Sequence, residues 1–190
     1  PDAKRSITCS PSVAIHLPIQ LGPQTQLYDL VFEGNEVITS AELEEVAAFG
    51  LGTPYSNLEL DAAQARVLNA YKDEGYYYAT VGTAVDYSPD RTRARARFII
   101  NEQKPVVIEE YEIRGAYNTD EDLILSRLAL CEDLSRCTDD ERRFRRNLVR
   151  KSEEQIATLG TFSSVSIVLE DPDIPKERKR VIITVSELKS

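Results

Sequence analysis

One pattern constrains this chain more than any other: it contains the same arrangement twice. Residues 71–81, YKDEGYYYATV, read as the end of an amphipathic helix, a glycine stop at Gly75, and the start of a strand. A weaker copy, IATLGTFSSV, occupies residues 156–165 around Gly160. Upstream of each copy stands a strand ended by glycine, LVFEGN with Gly34 and YEIRGAYN with Gly115. Gly34 and Gly115 are 81 positions apart, and Gly75 and Gly160 are 85 apart. A period of about 80 residues in a chain of 190 calls for two similar units, each near the lower end of the size at which one core suffices.

Hydrophobic periodicity supplies the elements. Residues 24–103 form unit one. Tyr28, Leu30 and Phe32 alternate as a first strand, closed by Gly34 and Asn35, a pair suited to positive φ. Thr39 with Glu42, and Ser56 with Glu59, are capping boxes that open two helices. Leu60, Ala63, Val67 and Tyr71 share one face of the second helix, and Gly75 stops it. From Tyr77 the period changes to two, through Ala79, Val81 and Val85. After the turn at 88–90, Ala94, Ala96, Phe98 and Ile100 alternate with Arg93, Arg95 and Arg97.

Unit two, residues 104–190, repeats the order. Val107, Glu109, Tyr111 and Ile113 make its first strand. Thr119 caps a helix, Thr138 with Glu141 opens a long second helix carrying Phe144, Leu148 and Ile156, and Gly160 stops it. Two strands follow, around Ile167 and Ile183. The expected class is α+β: tandem β-α-α-β-β units, each a three-stranded mixed sheet covered on one face by two helices. Residues 1–23 read as the last hairpin of a preceding, truncated unit, with His16 on its polar side.

Composition narrows the chemistry. The net charge is −9, which argues against nucleic acid, since phosphate neutralisation needs clustered Lys and Arg. A single His leaves little for a triad or a multi-His metal site. No phosphate loop, dinucleotide fingerprint or nucleophile elbow occurs. The expectation is a non-enzyme without cofactor or metal. Arg142, Arg143, Arg146 and Arg150 lie on the expected second helix of unit two. A solvated face is the plain reading, and contact with anionic lipid headgroups is the alternative. Of the tyrosine run, Tyr77 shares parity with core positions, so Tyr76 and Tyr78 are expected to face outward. Cys131 and Cys137, in CEDLSRC between two helices, suit a disulfide that clamps the turn, with two free thiols as the alternative. Three strands under two helices leave a sheet edge open, and such an edge can pair with an extended foreign chain.

The series LVFEGN, GTPYS, YKDEGYYYATV and FIINEQKP resembles a POTRA domain, and YEIRGAYN, LGTFSSVSI and VIITVSE are similar to another. The resemblance covers the whole chain, and the CEDLSRC turn is a departure from it. POTRA domains stand in tandem in the periplasmic part of outer-membrane β-barrel proteins of the BamA and TamA type. The resemblance implies binding of unfolded outer-membrane proteins or accessory subunits, and hand-over to the protein's own C-terminal barrel. It implies that the receiving edge is the strand after the second helix, residues 77–87 in unit one and 163–170 in unit two, with Thr80, Val81, Gly82, Thr83, Ala84 and Val85 and then Ser166, Ile167 and Val168 as the partner-binding positions. A periplasmic location fits a Cys131–Cys137 bridge. Alternative readings are the POTRA region of a two-partner secretion transporter, or a scaffold that only docks accessory subunits.

Overall fold

The computed structural model describes residues 17–18, 22 and 24–188. The hairpin expected at residues 1–23 therefore lies almost wholly outside the described residues. Unit one comprises β1 (Gln26–Glu33), α1 (Ser40–Ala47), α2 (Asn57–Asp73), β2 (Thr80–Tyr87) and β3 (Arg93–Asn101). Unit two comprises β4 (Val107–Arg114), α3 (Glu121–Leu125), α4 (Arg146–Ala157), β5 (Phe162–Leu169) and β6 (Arg178–Glu187). The sheets have the orders β1-β3-β2 and β4-β6-β5. In each, the last strand is central, parallel to the first and antiparallel to its hairpin partner. This is the mixed β-α-α-β-β unit that the periodicity implies.

The central strands keep their core-facing parity, although Ile182 on the other face of β6 is buried as well. Ala94, Ala96, Phe98 and Ile100 are buried, as are Val181, Ile183 and Val185. Phe98 stacks on Phe32 with ring centroids 5.0 Å apart. On the opposite face, Arg95 pairs with Asp29 at 2.8 Å, and Arg97 lies between Glu33 and Asp86. Arg180 takes the same place in unit two, between Glu110, Glu112 and Glu170. Arg97 and Arg180 thus tie carboxylates from both sides to the middle strand, while Arg95 reaches the first strand alone.

The first strands depart from strict alternation. The register of β1 slips between Leu27 and Asp29, and that of β4 between Ile108 and Glu110. A bulge inserts one residue and reverses the parity on one side of it. Leu27 and Ile108 therefore enter the cores, whereas Tyr28 turns outward beside Arg93 and Arg95. Tyr28 and Glu109 do not hold the inward positions that unbroken alternation assigns them, and Val107, though buried, lies outside the core cluster that Val106 and Ile108 join.

Helix starts separate real caps from apparent ones. Thr39 and Glu42 form the expected reciprocal box on α1. Ser56 precedes α2 without a side-chain cap bond. Asp120, not Thr119, caps α3. The Thr138–Glu141 box is made, but it closes a single turn, Arg142 N–H donating to Thr138 O. Arg143 then bridges to Val107, and α4 begins only at Arg146. The second helix of unit two is thus shorter than expected, and Phe144 precedes it.

Each unit closes its far end with a glutamate. Glu102 Oε1 accepts from the amides of Glu36 and Val37 and from the Tyr71 hydroxyl, at 2.8 to 2.9 Å. Glu187 accepts from the amides and side chains of Asn118 and Thr119. These donors, the Asn118 amide first, hold the Glu187 carboxyl below its usual 4.5. The Thr39 hydroxyl does the same for Glu42, and the Thr138 amide for Glu141. Asp90, in the β2–β3 turn, is held near about 2 by the hydroxyl of Ser88. Carboxyls depressed in the folded state bind fewer protons than in the unfolded chain, so their contribution is complete above the unfolded values. Urea midpoints are expected to stay flat from neutral pH to about 5 and to fall as pH drops from about 4.5 towards 2. A midpoint that rises across that window overturns the assignment.

Cys131 and Cys137 are joined by a disulfide, six positions apart with Cα atoms 6.5 Å apart. The Tyr111 hydroxyl donates to Cys131 O at 2.8 Å and ties the loop to β4. Closing so short a loop contributes about 2 kcal/mol in the chain-entropy model. A Cys131→Ser, Cys137→Ser variant is expected to lose that amount in urea unfolding, and reductant is expected to shift wild type but not the variant.

The tyrosine run forms a joint between the units, and here the expected parity fails. Residues 77–78 are a turn, and β2 starts at Thr80. Tyr76 is buried in the core of unit one, edge-to-face with Tyr71. Tyr77 and Tyr78 pack against the core of unit two. The Tyr77 ring meets Phe144 at 5.8 Å, and the Tyr78 hydroxyl donates to Ile174 O at 2.9 Å. Val106 N–H donates to Gly75 O at 2.9 Å, and Arg146 pairs with Asp73 at 3.0 Å. The Arg143 guanidinium lies over the Tyr76 ring.

Candidate protein-binding edges

Strand order puts β2 and β5 at sheet edges, as well as β1 and β4. The first strands are partly blunted. Leu27 N–H donates to Thr53 O and Gly52 N–H to Leu27 O beside β1, while Ile108 N–H donates to Arg142 O beside β4. The loop between the two helices thus covers the beginning of each first strand.

Antiparallel pairing fixes which groups of β2 and β5 look outward, because alternate residues exchange bonds with the partner strand. Ser88 N–H donates to Arg93 O across the hairpin, and Val81 O faces away, accepting from Gln64 Nε2 at 2.5 Å. By parity, Val81, Thr83, Val85 and Tyr87 present their amide and carbonyl groups at the edge. Thr80, Gly82 and Ala84 bond inward to β3. In unit two, Glu170 N–H donates to Arg180 O, and Ile167 N–H faces outward to Glu153 Oε1 at 2.8 Å. Val165, Ile167 and Leu169 are therefore the outward-bonding residues, and Ser166 and Val168 bond inward to β6.

All nine expected edge residues lie on edge strands, but Val81, Thr83, Val85 and Ile167 alone among them carry pairing groups. Thr80, Ala84, Ser166 and Val168 place side chains on the outer sheet face, where Val168 is 46% exposed, and Gly82 has none to place. Tyr87, Val165 and Leu169 lie within the expected strands but outside those nine positions, because the start of pairing, and hence its parity, is set by turns. Gln64 and Glu153, on the second helices, carry no sequence signal for contacting the edges.

The arginine set does not form a free basic face. Arg142 pairs with Asp139, Arg143 with Asp140 and Arg146 with Asp73, and the first two precede the helix. Arg150, on α4, is largely exposed and stands 3.9 Å from Glu154. The turn glycines Gly34, Gly75, Gly115 and Gly160 all have positive φ. Among the described residues no helix is long and apolar enough to cross a membrane.

Residues 27–103 match the family model of POTRA, the surface antigen variable number repeat. Residues 27–103 are a POTRA domain. Unit two repeats its element order and strand order, so the chain carries the POTRA fold in tandem. Solved structures agree on the fold. The Haemophilus influenzae BamA POTRA3–5 structure superposes with a TM-score of 0.62 at 15% identity, over 88% of this chain and 62% of that one. Haemophilus ducreyi BamA lacking POTRA domains 1–3 gives a TM-score of 0.66 at 13% identity, over 87% of this chain. The chain spans 29% of that second protein's length. No curated protein matches the sequence.

Proposed function

We propose that this tandem POTRA chain is a non-enzymatic, periplasmic protein-binding module of an outer-membrane β-barrel assembly protein. It takes extended segments of unfolded outer-membrane proteins by strand pairing and passes them to the protein's own C-terminal barrel. The observation that carries the reading is the repeated placement of a helix-backed strand at a sheet edge, with backbone donors and acceptors turned outward. Pairing of that kind reads backbone more than side chains, so it suits clients of many sequences. The POTRA match to residues 27–103 supports the setting. The paired arginines give the headgroup reading little support.

An amide-resolved NMR titration of the chain with an alternating ten-residue peptide tests the reading. Weak, saturable shifts confined to β2 or β5 are expected. Absence of shifts at about 1 mM peptide sinks client pairing by this chain and leaves the docking-scaffold role.

A further inference from the structure

We infer that the two edges are unequal: β2 is the receiving strand, and β5 is held shut by Glu153. This deepens the strand-pairing reading and rests on it. The asymmetry comes from where each second helix touches its edge. Gln64 of α2 reaches the carbonyl of Val81, near the beginning of β2. Beyond it, Thr83, Val85 and Tyr87 present successive outward groups, and among the described residues no hydrogen bond from a side chain or loop reaches the outward backbone of Thr83 or Val85. Three outward residues at every second position are the repeat that an incoming strand needs.

On β5 the contact falls in the middle. Glu153 of α4 takes the amide of Ile167, which has Val165 on one side and Leu169 on the other. An incoming strand must place a peptide carbonyl where the carboxylate already stands. A carboxylate is the stronger acceptor for an amide, so the foreign carbonyl competes at a disadvantage. Gln64, by contrast, fills a carbonyl, which keeps a second lone pair for another donor. The contact on β2 is therefore compatible with pairing, while the contact on β5 excludes it.

The test titrates the chain with a ten-residue alternating Thr-Val peptide, followed at each amide, in wild type, Glu153→Ala and Glu153→Gln. Wild type is expected to shift along Thr83, Val85 and Tyr87 and to leave Val165–Leu169 unmoved. Glu153→Ala is expected to open β5, with affinity there rising about tenfold and affinity at β2 unchanged. Glu153→Gln keeps an oxygen that accepts from Ile167 but loses the charge, so its β5 affinity is expected to fall between wild type and Glu153→Ala. Equal affinity at β5 in wild type and Glu153→Ala overturns the inference, as does a wild-type response on β5 without one on β2. Hydrogen exchange without peptide separates the failures. Ile167 is expected to exchange about tenfold faster in Glu153→Ala. Faster exchange with no peptide shift on either edge in any variant sinks the strand-pairing reading, and the receiving role with it; unchanged exchange at Ile167 sinks the Glu153 contact itself.

Discussion

Gly115→Ala is expected to unfold unit two, or to lower its stability by at least about 2 kcal/mol, and Gly34→Ala to do the same to unit one. Each glycine ends the first strand where the chain crosses the end of the central strand. Gly115 has φ +88°, and a Cβ there meets Val185 O at 2.0 Å. Gly34 has φ +82°, and its Cβ meets Ile100 O at 2.2 Å. Both obstacles are backbone atoms of the central strands, so no rotamer change relieves them. Positive φ adds a separate penalty for any residue with a Cβ. Gly52 is the control, with φ +78° and open space around a Cβ. Gly52→Ala meets the backbone penalty alone and is expected to cost about 1 kcal/mol. Urea unfolding of the three variants separates steric closure from conformational preference. Equal losses at Gly52 and Gly115 overturn the steric account.

Phe144→Ala is expected to cost about 3–5 kcal/mol and to loosen the joint as well. The ring is 4% exposed, belongs to the core of unit two, and receives Tyr77 edge-to-face. Tyr77→Ala removes the other side of that contact while leaving the Phe144 ring in place, and is expected to cost about 1–2 kcal/mol. Residual dipolar couplings measured on both units report their relative orientation. They are expected to fit one alignment tensor in wild type and two in Phe144→Ala. A single tensor in both leaves orientation to Gly75, Val106 and the Arg146–Asp73 pair, and rules out the ring as the lock.

Sequence patterns were legible where an element is regular and misleading where one irregular residue resets the count. β3 and β6 carry no bulge, so their core-facing residues keep one parity, with Ile182 buried on the other face as the exception, and Arg95, Arg97 and Arg180 stand opposite carboxylates. β1 and β4 also carry spaced apolar residues, yet the bulges at Leu27/Asp29 and Ile108/Glu110 reverse the inward set. In the tyrosine run, the parity of Val81 does not carry back across the turn at residues 77–78, so Tyr77 packs on the core of unit two. The Thr138 box has correct local chemistry, but pairing of Arg143 with Val107 interrupts the helix it announces. For the candidate edges, the strands were legible from element order and from the POTRA resemblance. The occupancy of individual edge groups was not, because the contacts of Gln64 with Val81 and Glu153 with Ile167 span 17 and 14 positions and are set by how helix and sheet stack.

The link between Gly75 O and Val106 N–H has a consequence for how two such repeats can diverge. It joins main chain to main chain, so sequence drift at position 106 leaves it intact unless the new residue is proline, which lacks the donor. Gly75 itself is confined, because a Cβ there approaches Arg143 Cβ to 2.9 Å. The remainder of the seam can change its side chains pair by pair while the hinge point stays where it is. An array built this way can keep one pivot common to its members while the side chains around that pivot, Tyr77 and Phe144 among them, set the angle at which each is presented.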